Sequence, residues 1–138
     1  MSRKPNVTAL SEELTSPQVV QHVLDACQSA KAQDLVVLDM HEVFDMSDYF
    51  IIVSGRSDRQ AQGICNKVLA ELETRGVQPV MVEGFDDGHW ILVDLGDVIL
   101  HVFYEPLRAH YDLEGLWLKA QKYTVEESGP GHFELKAA

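Results

Sequence analysis

Asp86, Asp87, Asp94 and Asp97 are four carboxylates within a short stretch, a composition suited to metal-assisted nucleotidyl transfer. That chemistry needs carboxylates converging on one spot, usually two on one face of a strand. Asp86 and Asp87 are adjacent, so on a strand they point to opposite faces, and on a loop they are unconstrained. Asp94 and Asp97 flank a turn, where Asp97 has a turn role and Asp94 a strand-end role without any metal. The chain contains no Asp-x-Asp. His89 and His101 could approach each other across a hairpin, yet no cysteine or further histidine joins them as a third ligand. Ser54-Gly55-Arg56-Ser57 joins a strand to a helix N-terminus, a place able to hold an anion. It lacks both GxxxxGK[ST] and GxGxxG, so a tight strand–helix turn is the favoured reading. No Ser-His-Asp or Cys-His arrangement follows from spacing. These residues favour a binding protein without catalytic, metal or cofactor sites. The alternative is a nucleotidyltransferase-like, nucleotide-binding enzyme that uses the Gly55 turn.

The elements that must position these side chains centre on residues 83–103, EGFDDGHWILVDLGDVILHVF. Two β-rich runs, Trp90–Leu95 and Val98–Phe103, are joined by Gly96-Asp97, a strong hairpin signal because glycine supplies the positive φ of a tight turn. Pairing Leu95 with Val98 sets the register. Ile91, Val93, Leu95, Val98, Leu100 and Val102 then share one aliphatic face, which is core. On the other face Trp90 lies opposite Phe103, Leu92 opposite His101, and Asp94 opposite Ile99. That second face is neither clean core nor clean solvent face. Two readings stand: a docking surface, or an interior covered by helices on both sides of the sheet.

Along the chain, residues 1–15 lack a sustained period and read as a flexible arm. Ser16-Pro17 reads as an N-cap with proline at the first helical position, and apolar residues at helical spacing extend this helix over 17–31. Leu35–Asp39 and Tyr49–Ser54 read as strands, the second apolar enough to be covered on both faces. A helix over 58–75 carries Ala61, Ile64, Cys65, Val68 and Leu72 on one stripe and stops at Gly76. Pro79–Glu83 is a third strand, ahead of the hairpin. Leu107–His110 and Leu113–Tyr123 read as short helices, and 124–138 as a flexible, Gly/Pro-marked tail. The expected fold is one α/β domain over 16–123, a mixed sheet of about five strands packed with helices.

The 138 residues suffice for one domain and its core. No apolar run approaches the length of a membrane span. The N-terminus has no apolar signal region, and Glu12 and Glu13 argue against a mitochondrial presequence, so a cytoplasmic location is expected. Cys27 and Cys65 fall on apolar helical stripes and read as core thiols. The chain has 11 basic against 22 acidic side chains, a formal net charge of −11. Direct nucleic-acid recognition is disfavoured, because phosphate contacts need a basic patch. Between Arg75 and Arg108 there is no Lys or Arg, while Glu83, Asp86, Asp87, Asp94, Asp97 and Glu105 all fall inside. A basic protein partner is a reasonable inference from that concentration.

Four ordered segments, DYFIIVSGRSDRQ (48–60), VEG (82–84), HWILVDLGDVILHVF (89–103) and RAHYDLEGLW (108–117), closely resemble the Iojap family of ribosomal silencing factors. The resemblance spans roughly residues 17–118. It implies a nucleotidyltransferase-like α/β topology without the catalytic carboxylates. It further implies binding to protein fourteen of the large ribosomal subunit, where the family blocks joining of the small subunit and represses translation, and a homodimeric state. No cofactor is implied. The partner-binding residues expected on these motifs are Trp90, Leu92, Asp94, His101, Phe103, Tyr111 and Leu113. The Asp86-Asp87 loop and the longer C-terminal tail depart from the family pattern.

Overall fold

The computed structural model describes residues 13–129 and 132–138. Its elements are α1 (Ser16–Ser29), β1 (Gln33–Asp39), β2 (Tyr49–Gly55), α2 (Asp58–Glu73), β3 (Met81–Glu83), β4 (Trp90–Asp94), β5 (Val98–Tyr104), α3 (Glu105–Tyr111), α4 (Leu113–Leu116), β6 (Gln121–Gly129) and β7 (His132–Ala137). They build a mixed α/β domain on one seven-stranded sheet in the order β3-β4-β5-β2-β1-β6-β7. The β2–β5 pair is parallel and every other pair is antiparallel. The expected class holds, and the sheet exceeds the expected five strands by two at its far edge.

Those two strands correct the reading of the C-terminus. Residues expected to continue a helix to Tyr123 and then trail as a mobile tail form β6, which pairs Val36 with Thr124 and Val37 with Tyr123, and β7 beyond it. Only Leu113–Leu116 is helical in that region. The physical reason is the open edge of β1. Val36 and Val37 are buried in the finished sheet, and β6 supplies the backbone hydrogen-bond partners that the edge of β1 otherwise lacks, a need that the polar composition of residues 121–129 does not reveal. The proposed N-terminal arm lies mostly outside the described residues. Its end is ordered, because Thr15 rather than Ser16 caps α1. The Thr15 hydroxyl accepts from the Gln18 amide at 3.3 Å, and the Gln18 side chain accepts from the Thr15 amide at 2.8 Å. Ser16 instead donates to Asp48 at 2.7 Å, pinning the start of α1 to the β1–β2 connection.

Both long helices pack on one face of the sheet. There Val23, Leu24 and Cys27 of α1 and Ala61, Ile64, Cys65, Val68 and Leu72 of α2 meet Ile51, Val53, Ile91, Val93, Val98, Leu100 and Val102. This is the aliphatic face of the hairpin. Every one of its expected residues is buried except Leu95, which is half-buried at the turn. Burial pushes the Cys27 thiol up to about 12 and the Cys65 thiol up to about 11, so both are inert core thiols. Gly55 lets β2 enter α2 at close range. A Cβ there would stand 3.0 Å from the Ala61 nitrogen, so the position serves backbone packing.

Candidate docking face

The hairpin register is the expected one: Trp90 opposite Phe103, Leu92 opposite His101, and Asp94 opposite Ile99. The amide of Leu95 donates to the Val98 carbonyl at 2.9 Å, and Gly96 turns with φ +95°. Asp94 accepts from the Gly96 amide at 2.9 Å, which is the strand-end role expected of it.

The second face of the sheet is divided in two: one half is interior, and the other is only partly covered. Over β1 and β2 it is interior. Val36, Leu38, Phe50 and Ile52 are covered by Phe44 from the β1–β2 connection and by Trp117 after α4. The Phe44 and Trp117 rings lie 5.4 Å apart, and each also meets Phe50. Among the described residues no long helix covers this side; Val43, Phe44, Leu113 and Trp117 do the covering. Over β3, β4 and β5 the face is only partly covered. Trp90, Leu92, Asp94 and Ile99 are half-buried there. Met81, 41% exposed, joins them from β3 opposite Asp94, and exposed Glu83 lies opposite Leu92. Met81 was missed in the sequence. Its only signal was the two-residue alternation Met81–Glu83, too short to read alone.

Trp90 is the best-supported side chain of that half. Its indole N–H donates to His101 Nδ1 at 3.1 Å, diagonally across the hairpin. Its ring lies 5.0 Å from Phe103 and 4.8 Å from Tyr111 of α3. An Nδ1 that accepts from the indole places the neutral imidazole's proton on Nε2. His101 is 3% exposed, its ring lies 4.8 Å from Phe50, and its Nε2 has no hydrogen-bond partner among the described residues. Burial pulls the imidazole down to about 4, so it stays neutral. The expected site residues thus divide. Trp90, Leu92, Asp94 and half-exposed Tyr111 are brought to one accessible ledge. Phe103, His101 and Leu113 are buried beneath or beside it, where they support the ledge and present almost no surface of their own. The reason is geometric: Tyr111 and Trp90 close over Phe103, and the α3–α4 corner folds Leu113 inward.

The turn before Trp90 is fixed from α2. Gln62 donates to the carbonyls of Phe85 at 2.7 Å and Asp86 at 3.1 Å. A Cβ at Gly88 would stand 2.7 Å from the Asp58 carbonyl. Asp86 and Asp87 are exposed, and Asp87 accepts from the His89 amide at 3.1 Å. His89 lies beside Tyr104, with ring centroids 6.1 Å apart, while His101 lies beside Trp90 and Phe50. Among the described residues, no group of three or more His, Cys, Asp or Glu side chains is arranged to hold a metal ion. No described helix is long and apolar enough to cross a membrane.

The sequence pattern of the family described as "Ribosomal silencing factor during starvation" matches residues 13–137. The chain is 44% identical over 92 residues to "Ribosomal silencing factor RsfS" of Bacillus subtilis, covering 67% of this chain and 78% of the relative. It is 34% identical over 116 residues to the protein of that name from Halalkalibacterium halodurans, covering 84% and 97%. A crystal structure of a Chromobacterium violaceum protein superposes with a TM-score of 0.74 at 33% identity, over 75% of this chain and 87% of that one. With the family pattern running from before α1 to the end of β7, and relatives matched across most of their length, the chain belongs to the ribosomal silencing factor family.

Proposed function

We propose that this protein docks on the large ribosomal subunit through protein fourteen and, by occupying the surface the small subunit needs, represses translation without catalysing any reaction. The observation that carries the reading is the half-open sheet face over β3, β4 and β5. Trp90 is locked there by His101, Phe103 and Tyr111, with Leu92 next to it on the same face, Met81 at the far end of that face and carboxylates around it. Rigid aromatic side chains on an otherwise polar surface are the usual anchors of protein interfaces. A stretch without Lys or Arg from 76 to 107 suits a basic partner. Steric exclusion needs no cofactor, because a small domain held between two large rigid bodies prevents their contact. On the family resemblance alone, the free protein is proposed to be a cytoplasmic homodimer. The test is co-sedimentation with purified large subunits, followed by addition of small subunits. Binding and blocked joining are expected. A protein that fails to sediment with large subunits, or that binds them and leaves joining untouched, removes the proposal.

A further inference from the structure

α3 carries Tyr111, yet none of its residues is buried, and its N-cap makes no side-chain hydrogen bond. Apolar burial therefore does not explain why this short helix stays against the sheet. Arg108 does. Its side chain is 12% exposed, and its guanidinium is spent on four acceptor atoms from three places in the chain. Nη1 donates to the Asp34 carbonyl at 2.7 Å and to the Ser54 hydroxyl at 2.9 Å. Nε and Nη2 donate to the two carboxylate oxygens of Glu114, each at 3.2 Å. Ser54 is fully buried and lies opposite Phe103 in the β2–β5 register, so the fork is anchored beside the floor of the aromatic ledge.

The chain is bent at both ends of this fork. Asp34 takes φ +52°, at a break in the β1–β2 register, and its carbonyl receives the Arg108 guanidinium. Asp112 takes φ +48°, ending α3 and capping α4 through the Gly115 amide, which is the corner that lets Glu114 face back to Arg108. Left-handed conformations at residues with a Cβ are uncommon, and here two of them flank one guanidinium. The net effect on Glu114 agrees. Partial burial alone would raise its carboxyl, but the hydrogen bonds and charge of Arg108, with Lys122 at 3.7 Å, hold it below its ordinary value.

We infer that Arg108 is the positioning residue of the docking face: its planar fork holds α3 against the sheet so that Tyr111, one turn further on, closes over Trp90. The inference rests on the docking reading above and adds to it a residue that need not touch the partner. Lysine cannot substitute, since one ammonium cannot meet a bidentate carboxylate, a hydroxyl and a carbonyl together.

The test uses the full chain with Trp117→Phe, leaving Trp90 as the only tryptophan. Arg108→Lys keeps the charge, so any effect is one of geometry. In the free protein it is expected to red-shift Trp90 emission as Tyr111→Ala does, because both uncover the indole. On large subunits each single variant is expected to bind about tenfold more weakly, and the double variant no weaker than Tyr111→Ala by more than about twofold, the non-additivity of residues acting as one unit. Unchanged Trp90 emission in Arg108→Lys overturns the inference, as does full multiplication of the two binding losses. If Trp90 emission shifts while neither variant alters ribosome binding, the docking reading fails and the positioning of Tyr111 by Arg108 stands.

Discussion

At the residue scale, Trp90 and His101 form a pair with separate jobs. The indole N–H is used inside the protein, so Trp90 offers a partner its apolar ring. Trp90→Ala is expected to weaken large-subunit binding by about 2 kcal/mol or more and to restore subunit joining. Its melting temperature should fall much less than that of Val93→Ala, since Trp90 is only half-buried and Val93 is fully buried. Melting and ribosome binding measured on the same purified variant decide the matter: a folded Trp90→Ala that binds normally refutes the docking face. His101 makes stability depend on pH. Its folded value near 4 lies below the ordinary 6.5, so between those two pH values the unfolded chain binds a proton that the folded chain refuses. Stability is then full above about 6.5 and falls as pH drops toward 4, by on the order of 3 kcal/mol. Protonation also makes Nδ1 a donor and breaks the Trp90 bond. His41 works with the opposite sign. The Asp39 carboxylate, 2.6 Å from its Nδ1, raises its value, so that contribution is complete below about 6.5 and fades as pH rises through the folded value. His41 is half-exposed and solvent screens it, so His101 dominates. Urea melts from pH 7 to pH 4 should lose this slope in His101→Gln.

At the element scale, the β4–β5 hairpin separates core from the proposed docking face by alternation alone. Val93→Ala and Leu100→Ala are each expected to cost about 2–4 kcal/mol through lost burial and the cavity left under α2. The β3–β4 turn adds a sharper contrast. Gly84 has φ +81°, and a Cβ there would collide with the Trp90 carbonyl, whereas Gly76 has φ +77° with nothing near its missing Cβ. Gly76→Ala should therefore cost only the left-handed penalty of about 1–2 kcal/mol. Gly84→Ala should cost more and displace Trp90 as well, weakening large-subunit binding where Gly76→Ala leaves it intact. Chemical denaturation and co-sedimentation of the two variants side by side provide the check.

At the scale of the whole molecule, the net charge of −11 sets a field that any partner meets before contact. The carboxylates of Glu83, Asp86 and Asp87 are exposed around the ledge, and Gln62 tethers the backbone of the turn that carries the last two through the Phe85 and Asp86 carbonyls. Association with the large subunit should slow as salt rises, mostly through the on-rate. Asp86→Asn with Asp87→Asn should reproduce part of that slowing at low salt. Stopped-flow association that is indifferent to salt would remove electrostatics from the recognition step.

The hairpin, its register and its core face were legible in the sequence because a two-residue turn and strict alternation are local rules, and local rules need no knowledge of the rest of the chain. The helices α1 and α2 were legible for the same reason, to within two residues at each end. The division of the second face was not. Whether Phe103, His101 and Leu113 touch a partner depends on Tyr111, Phe44 and Trp117, which reach the sheet from segments outside the hairpin. Nor could composition place β6, since its reason to be a strand is the unpaired edge of β1 more than eighty residues earlier. Arg108 reads in sequence as one more surface cation. Only the folded chain brings the Asp34 carbonyl, the Ser54 hydroxyl and the Glu114 carboxylate around it, because a hydrogen-bond donor's partners are set by tertiary proximity, and periodicity carries no information about that.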